Sequence, residues 1–198
     1  IQDHPQWFTI KGGSQEYVSR LIRPFKDRIK TNCAVITVQR TEDHVYVEDV
    51  LGNICLFDDV IFACHADQAL KIIADPSTDE RRILSAFLYQ PNLAILHSDT
   101  SFMPIRKKAW SSWVYLSEKK LDKNSSVSLS YWMNNLQSLK VQTPIIVTLN
   151  PGRYPDPSLI YDEYLFEHPV FDIAAIQEQS KIDMIQGNNR LWFCGAYQ

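Results

Sequence analysis

The apolar positions begin on a helical period. After Gly12-Gly13, the residues Tyr17, Val18, Leu21, Ile22 and Phe25 recur three and four apart, which predicts a helix capped by Ser14 and weakened near Pro24. The period then changes to two. Ala34, Ile36 and Val38 alternate with Val35, Thr37 and Gln39, and the polar turn Thr41-Glu42-Asp43 leads into Val45-Tyr46-Val47. Gly52-Asn53 then precedes Ile54-Cys55-Leu56-Phe57. Three short strands with tight turns predict an antiparallel meander. Val60-Ile61-Phe62-Ala63-Cys64 does not alternate, which predicts a strand covered on both faces, with a short helix from Gln68 to Ile73 behind it.

Asp75-Pro76-Ser77-Thr78 punctuates the chain before a helix carrying Ile83, Leu84, Phe87 and Leu88, with Asp79 and Glu80 in its first turn. From Pro91 to Asn150 the pattern is mostly strand: Leu93–His97, Trp113–Ser117, Ser126–Met133 and Ile145–Leu149. A proline-rich loop, a strand over Tyr161–Phe166 and a helix capped by Asp172, with Ile173, Ile176 and Ile182 inward, complete this part. The chain finishes in "RLWFCGAYQ", whose run Leu191–Tyr197 has the composition of a buried strand. That run and Val60–Cys64 each need a neighbour, so they are expected to pack together. The fold class is α+β: a mixed, largely antiparallel sheet with flanking helices, plus the meander.

Composition narrows the function classes. In 198 residues, 45% are apolar and 22% charged, with a net charge of -3, as in a soluble globular protein. No basic stripe for nucleic acid is evident, and no apolar stretch approaches a membrane span. Cys33, Cys55, Cys64 and Cys194 form no C-x-x-C pair, which fits buried thiols in a reducing, cytoplasmic setting. A start without Met and a finish inside an apolar strand read as a piece of a longer chain.

Local chemistry is sparse. Cys64 and His65 are adjacent, so on a strand they point to opposite faces and make a poor dyad. His97 and Asp99 share a face without a third partner for a triad or a metal. Glu163, Glu167 and His168 resemble ligands by type, but Pro169 keeps His168 out of a helix, and no metal site is expected. Neither G-x-G-x-x-G nor G-x-x-x-x-G-K-[ST] occurs. Trp113, Tyr115, Tyr131 and Trp132 stand close together in the strand-rich part. They are either sheet core or the lining of a pocket for an apolar substrate. No catalytic residue is identifiable.

The ordered set of motifs nevertheless resembles a family. "KGGSQEYVSRL", "CAVITVQRTEDHVYVEDVLGN", "DDVIFACHADQALKII" and "RLWFCGAYQ", with "YWMNNLQ" and "EHPVFD" between, are similar to the middle and end of flavin-containing amine oxidoreductases, nearest the bacterial NAD/FAD-binding branch. The resemblance covers essentially the whole chain and rests on motif order. It implies an FAD-binding α/β domain interleaved with a substrate domain, with residues 1–75 and 190–198 as remnants of the former and 76–189 as the latter. It further implies that Val35 contacts the adenine end of FAD, that Gly195 and Ala196 approach the flavin, and that the aromatic strands line the substrate site. The family's dinucleotide fingerprint and a Gly-rich flavin-contacting segment are absent, so this piece is expected to be inactive and to retain no FAD. Its expected role is the substrate-binding part of an oxidoreductase passing a hydride from an amine or apolar substrate to flavin, with self-association through the uncovered flavin-domain face. The alternative is a free-standing, non-enzymatic module that binds a hydrophobic ligand or a protein.

Overall fold

A computed structural model describes residues 8–117 and 127–198. The architecture is mixed α+β, and the chain divides into two compact units. One holds residues 1–28 and 91–166; the other holds 29–90 and 167–198. These boundaries differ from those expected at residues 75 and 190. The punctuation at Asp75-Pro76-Ser77 is no linker: Ser77 caps α3 (Thr78–Leu84) in a reciprocal box with Glu80, inside the second unit.

In the second unit, β1 (Val35–Arg40), β2 (Val45–Asp49) and β3 (Ile54–Phe57) form the expected antiparallel meander. The register slips between Val35 and Thr37, a bulge at the start of β1. β4 (Val60–Phe62) pairs in parallel with β10 (Leu191–Phe193), joining residues 131 positions apart as the two apolar runs required. Neither strand is covered on both faces, however. Phe62 and Phe193 stack inward at 5.3 Å, while Ile61 is 66% exposed and Trp192 42%. The core joins Val38, Val45, Phe62, Phe87, Leu191 and Tyr197 to α2 (Ala66–Ile72), α3 and α5 (Ile173–Gln179). Asp172 caps α5 as expected, through its carboxylate and the Ala175 amide. The inward residue of α5 is Ala175; Ile173 and Ile176 are exposed, because the small side chain lets this short helix sit close.

A buried ion pair closes this unit. Arg40, at the end of β1, meets Glu80 at 2.8 and 3.2 Å, and Glu80 also accepts the Ser77 amide at 2.7 Å. Both side chains are nearly inaccessible, and Arg40 also pairs with the half-exposed Asp75 carboxylate at 3.3 Å. The last residues are tied down by glutamines. Gln186 exchanges two hydrogen bonds of 2.8 Å with the Phe193 backbone, as a neighbouring strand would, and Gln179 donates to the carbonyls of Tyr197 and Gln198. Gly187 starts the turn before β10 at φ 70°, and a Cβ there would stand 2.7 Å from the Trp192 ring, so both backbone and space require glycine.

The first unit is built on a five-stranded sheet ordered β6 (Trp113–Ser117), β7 (Val127–Trp132), β8 (Ile146–Leu149), β5 (Leu88–His97), β9 (Ile160–Val170). Ser126, expected to begin β7, lies outside the described residues. One face carries Ile95, His97, Ser130, Ile146 and Thr148, all fully buried, with Phe102, Met103 and Trp110 from the loop after β5 packed against it. The unit also holds α1 (Ser14–Ile22), whose N-cap is Gly13 at φ 87° rather than Ser14, and α4 (Met133–Leu136). No residue of α1 is buried.

Candidate functional sites

Each unit carries an open depression. In the second unit it measures about 660 Å³ and lies between the start of β1 (Val35, Ile36) and β4 with its continuation (Ile61, Phe62, Cys64). Its walls are apolar apart from Gln68 and Lys71 on α2. β1 is an edge strand, bridged on its far side at Val38–Ile73, so the edge near Val35 is open among the described residues. Beside this depression the chain turns tightly after β10. The Cys194 amide donates to Phe62 O at 2.8 Å. A Cβ on Gly195 would lie 3.1 Å from Cys64 O and 2.6 Å from the Tyr197 ring. Gly195 is therefore demanded by this chain's own packing. Ala196 is exposed, and Tyr197 is 1% exposed with its hydroxyl lacking a partner. Burial pushes that phenol well above its ordinary range.

Cys64 and His65 lie beyond the end of β4, in the link to α2, where His65 is the N-cap residue. Burial raises the Cys64 thiol, which disfavours a nucleophilic thiolate. The His65 ring stacks on Tyr89 at 4.1 Å, with Nδ1 3.8 Å from Glu167. His97 is also held structurally. Its Nδ1 accepts the Asp99 amide at 3.1 Å, so Nε2 carries the proton and donates to Thr148 Oγ1 at 2.8 Å; Thr148 meets Ser130 Oγ at 2.8 Å. Burial holds the imidazole below its ordinary range, with Asp99 opposing and Arg153 assisting. Glu163, Glu167 and His168 lie on β9, and no group of three metal-ligating side chains occurs among the described residues.

The depression of the first unit, about 730 Å³, is lined by Phe8, Ser112, Trp113, Tyr131, Asn135 and Gln137, among others. Trp113 and Tyr131 are cross-strand partners whose rings meet edge to face at 6.1 Å. Tyr115 shares their side of β6 but stands outside this lining, 69% exposed. Trp132 is on the other face, edge-on to Trp110 at 5.1 Å, with Nε1 buried and unpaired. The four aromatics singled out in the sequence thus divide between the two faces of one sheet. Sequence reasoning missed the polar members. Asn135 donates to Ser112 Oγ at 2.7 Å and, like Gln137, belongs to the motif "YWMNNLQ", a signal too short to read alone.

No family model matches the chain, and no curated protein matches it in sequence. Solved structures do match in fold. A fatty acid isomerase from P. acnes that produces CLA aligns with TM-score 0.61 and 15% identity over 92% of this chain and 47% of its own. Putrescine oxidase bound to putrescine gives 0.61 and 13% over 93% and 47%. Reduced UDP-galactopyranose mutase gives 0.60 and 10% over 96% and 47%. The chain therefore spans about half the length of these neighbours and shares their fold across nearly all of its own.

The residues lining the apolar second-unit depression include one cation, Lys71, and no glycine-rich phosphate turn occurs in the sequence. They do not make a pyrophosphate site, so no flavin step is assigned to these residues.

Proposed function

We propose that this chain is the substrate-binding portion, joined to part of the FAD-binding domain, of an oxidoreductase that moves a hydride from an apolar or amine substrate to flavin. The observation that carries this reading is the fold likeness over more than nine-tenths of the chain to an amine oxidase and a fatty acid isomerase. The resemblance in motif order supports it independently. In this reading the second unit faces the cofactor. Val35 contributes backbone contacts at the adenine end, and Gly195 and Ala196 border the flavin. The first unit holds the substrate through Trp113 and Tyr131, with Tyr115 and Trp132 shaping the two faces of the same sheet. Four free cysteines agree with a reducing, cytoplasmic setting, and no helix among the described residues is long and apolar enough to cross a membrane.

The test is expression of the complete reading frame that encodes these residues. A yellow protein whose flavin bleaches anaerobically with an amine or a fatty acyl substrate supports the proposal. A colourless product that still quenches Trp113 fluorescence with an apolar ligand would replace it with a non-enzymatic binding module.

A further inference from the structure

Residues 8–28 of the first unit combine two properties that no other part of this reading uses. α1 and the turns after it expose Tyr17 (44%), Val18 (41%), Leu21 (62%) and Phe25 (44%), and no α1 residue is buried. Tyr17, Val18 and Leu21 fall on one face of α1, and Phe25 follows in the turn after the helix. Around them stand Lys11, Arg20, Arg23, Lys26 and Arg28 against Glu16 and Asp27, a local net charge of +3. The whole chain carries -3, so the remaining residues sum to -6. A short segment is thus basic and apolar at once on an otherwise acidic protein.

We propose that α1 and the basic turns that follow it form a docking surface for an anionic lipid bilayer, lying in the plane of the headgroups without spanning the membrane. Charge selects this occupant. A second copy seated on the same face would bring two like-charged segments together, which is unfavourable. A purely apolar partner would leave the cations without a counter-charge. The boundary between anionic headgroups and acyl chains supplies both needs together: the four apolar side chains enter the hydrocarbon margin, while the long Arg and Lys stems reach back to phosphate and carboxylate. The acidic remainder is repelled by the same surface, so binding has one preferred orientation. An apolar substrate would dissolve in that same layer. The docking itself involves no flavin, and it stands or falls separately from the proposed chemistry.

The test uses the 198-residue protein and flotation with phosphatidylcholine vesicles, with and without about one-third phosphatidylserine. Binding is expected on the anionic vesicles and is expected to be largely lost at about 0.5 M salt. The double variant Arg20→Glu/Arg23→Glu should weaken it at least about twenty-fold, since each cation near an anionic surface contributes about a factor of five. Leu21→Ser/Phe25→Ser should also weaken it while leaving the salt dependence in place, which a purely electrostatic contact would not show. All four residues are exposed, so an unchanged thermal transition confirms that the variants fold. No vesicle binding, equal binding to neutral vesicles, or indifference to the charge reversal overturns the proposal. A dimer that Leu21→Ser/Phe25→Ser dissolves would also overturn it, by assigning the face to a second copy.

Discussion

Glu80 is 1% exposed, and its carboxylate accepts three hydrogen bonds, two from the Arg40 guanidinium and one from the Ser77 amide. Its partners come from three places: the Arg40 guanidinium, the Ser77 amide and, through Arg40, the carbonyl of Asp75. Glu80→Ala leaves the buried guanidinium with only the half-exposed Asp75 carboxylate as counter-charge and frees the Ser77 amide, and should cost about 2–3 kcal/mol in urea denaturation. A loss under about 1 kcal/mol would show that the pair is wetter than its burial implies. His97 gives a prediction of opposite chemical character. Its native pKa is lowered, so below the ordinary value of about 6.5 the unfolded chain takes up the proton first. Stability should therefore fall as pH drops through that value, levelling off only below the lowered native pKa. His97→Gln keeps a donor toward Thr148 and cannot titrate. Its stability between pH 7.5 and 5.5 should decline less than the wild type's; equal slopes would remove His97 as the cause.

At the scale of elements, β4 and β10 make a parallel pair of three residues each, with no third strand among the described residues. Parallel strands are ordinarily found inside larger sheets covered on both faces. Here Ile61 and Trp192 face outward, and Val35 and Ile36 on β1 add apolar exposure around the same depression. An open edge with an apolar face invites pairing with another copy. The isolated chain should therefore self-associate in sedimentation velocity, and Ile61→Lys should return it to monomer. A wild type that stays monomeric at high concentration would contradict this. The same strands show what a sequence can and cannot disclose. The partnership of β4 and β10 was readable because two apolar runs each lacked a neighbour. Their exposure was not, because a strand's second face is set by what packs on it, and nothing local in Val60–Cys64 records that. The inward face of α5 failed similarly: Ile173 and Ile176 match a helical stripe, yet Ala175 is the residue that contacts the core. Gln186, which closes the β10 edge through its side-chain amide, looks in sequence like any polar turn residue.

Across the whole molecule, the meander and the positions of the strands along the chain were legible, whereas the order β6-β7-β8-β5-β9 and the division into units were not. The Asp75-Pro76-Ser77 signal was a helix cap, and the chain instead passes between units within β5 and β9, where strand periodicity runs on without a break. The candidate site was half legible. Trp113 and Tyr131 meet across strands, and Trp132 lies on the face opposite Tyr131, as alternation along the strand predicts; the polar members Ser112, Asn135 and Gln137 were not legible. Cofactor retention is the prediction that belongs to this scale. With one lysine in the second-unit depression and no phosphate turn in the sequence, the 198-residue chain mixed with FAD should elute from gel filtration without absorbance near 450 nm, about the usual flavin band. A stoichiometric yellow complex would mean that some other set of these residues holds the pyrophosphate.

The passage through β5 and β9 also bears on how such a gene is assembled. The chain leaves the second unit after Gln90 and re-enters at Glu167, on two strands that are hydrogen-bonded neighbours in one sheet. Everything between is therefore an insert whose ends sit side by side, the arrangement that lets one coding segment be spliced into another without disturbing the host. The host keeps a contiguous core from Val38 to Tyr197 that draws on no residue of the insert. A gene in which a short Gly-Asn turn replaces residues 91–166, starting at Ile29, should yield a cooperative unfolding transition of its own. A product with no such transition would mean that host and insert were never separable, and that the two coding segments have a single history.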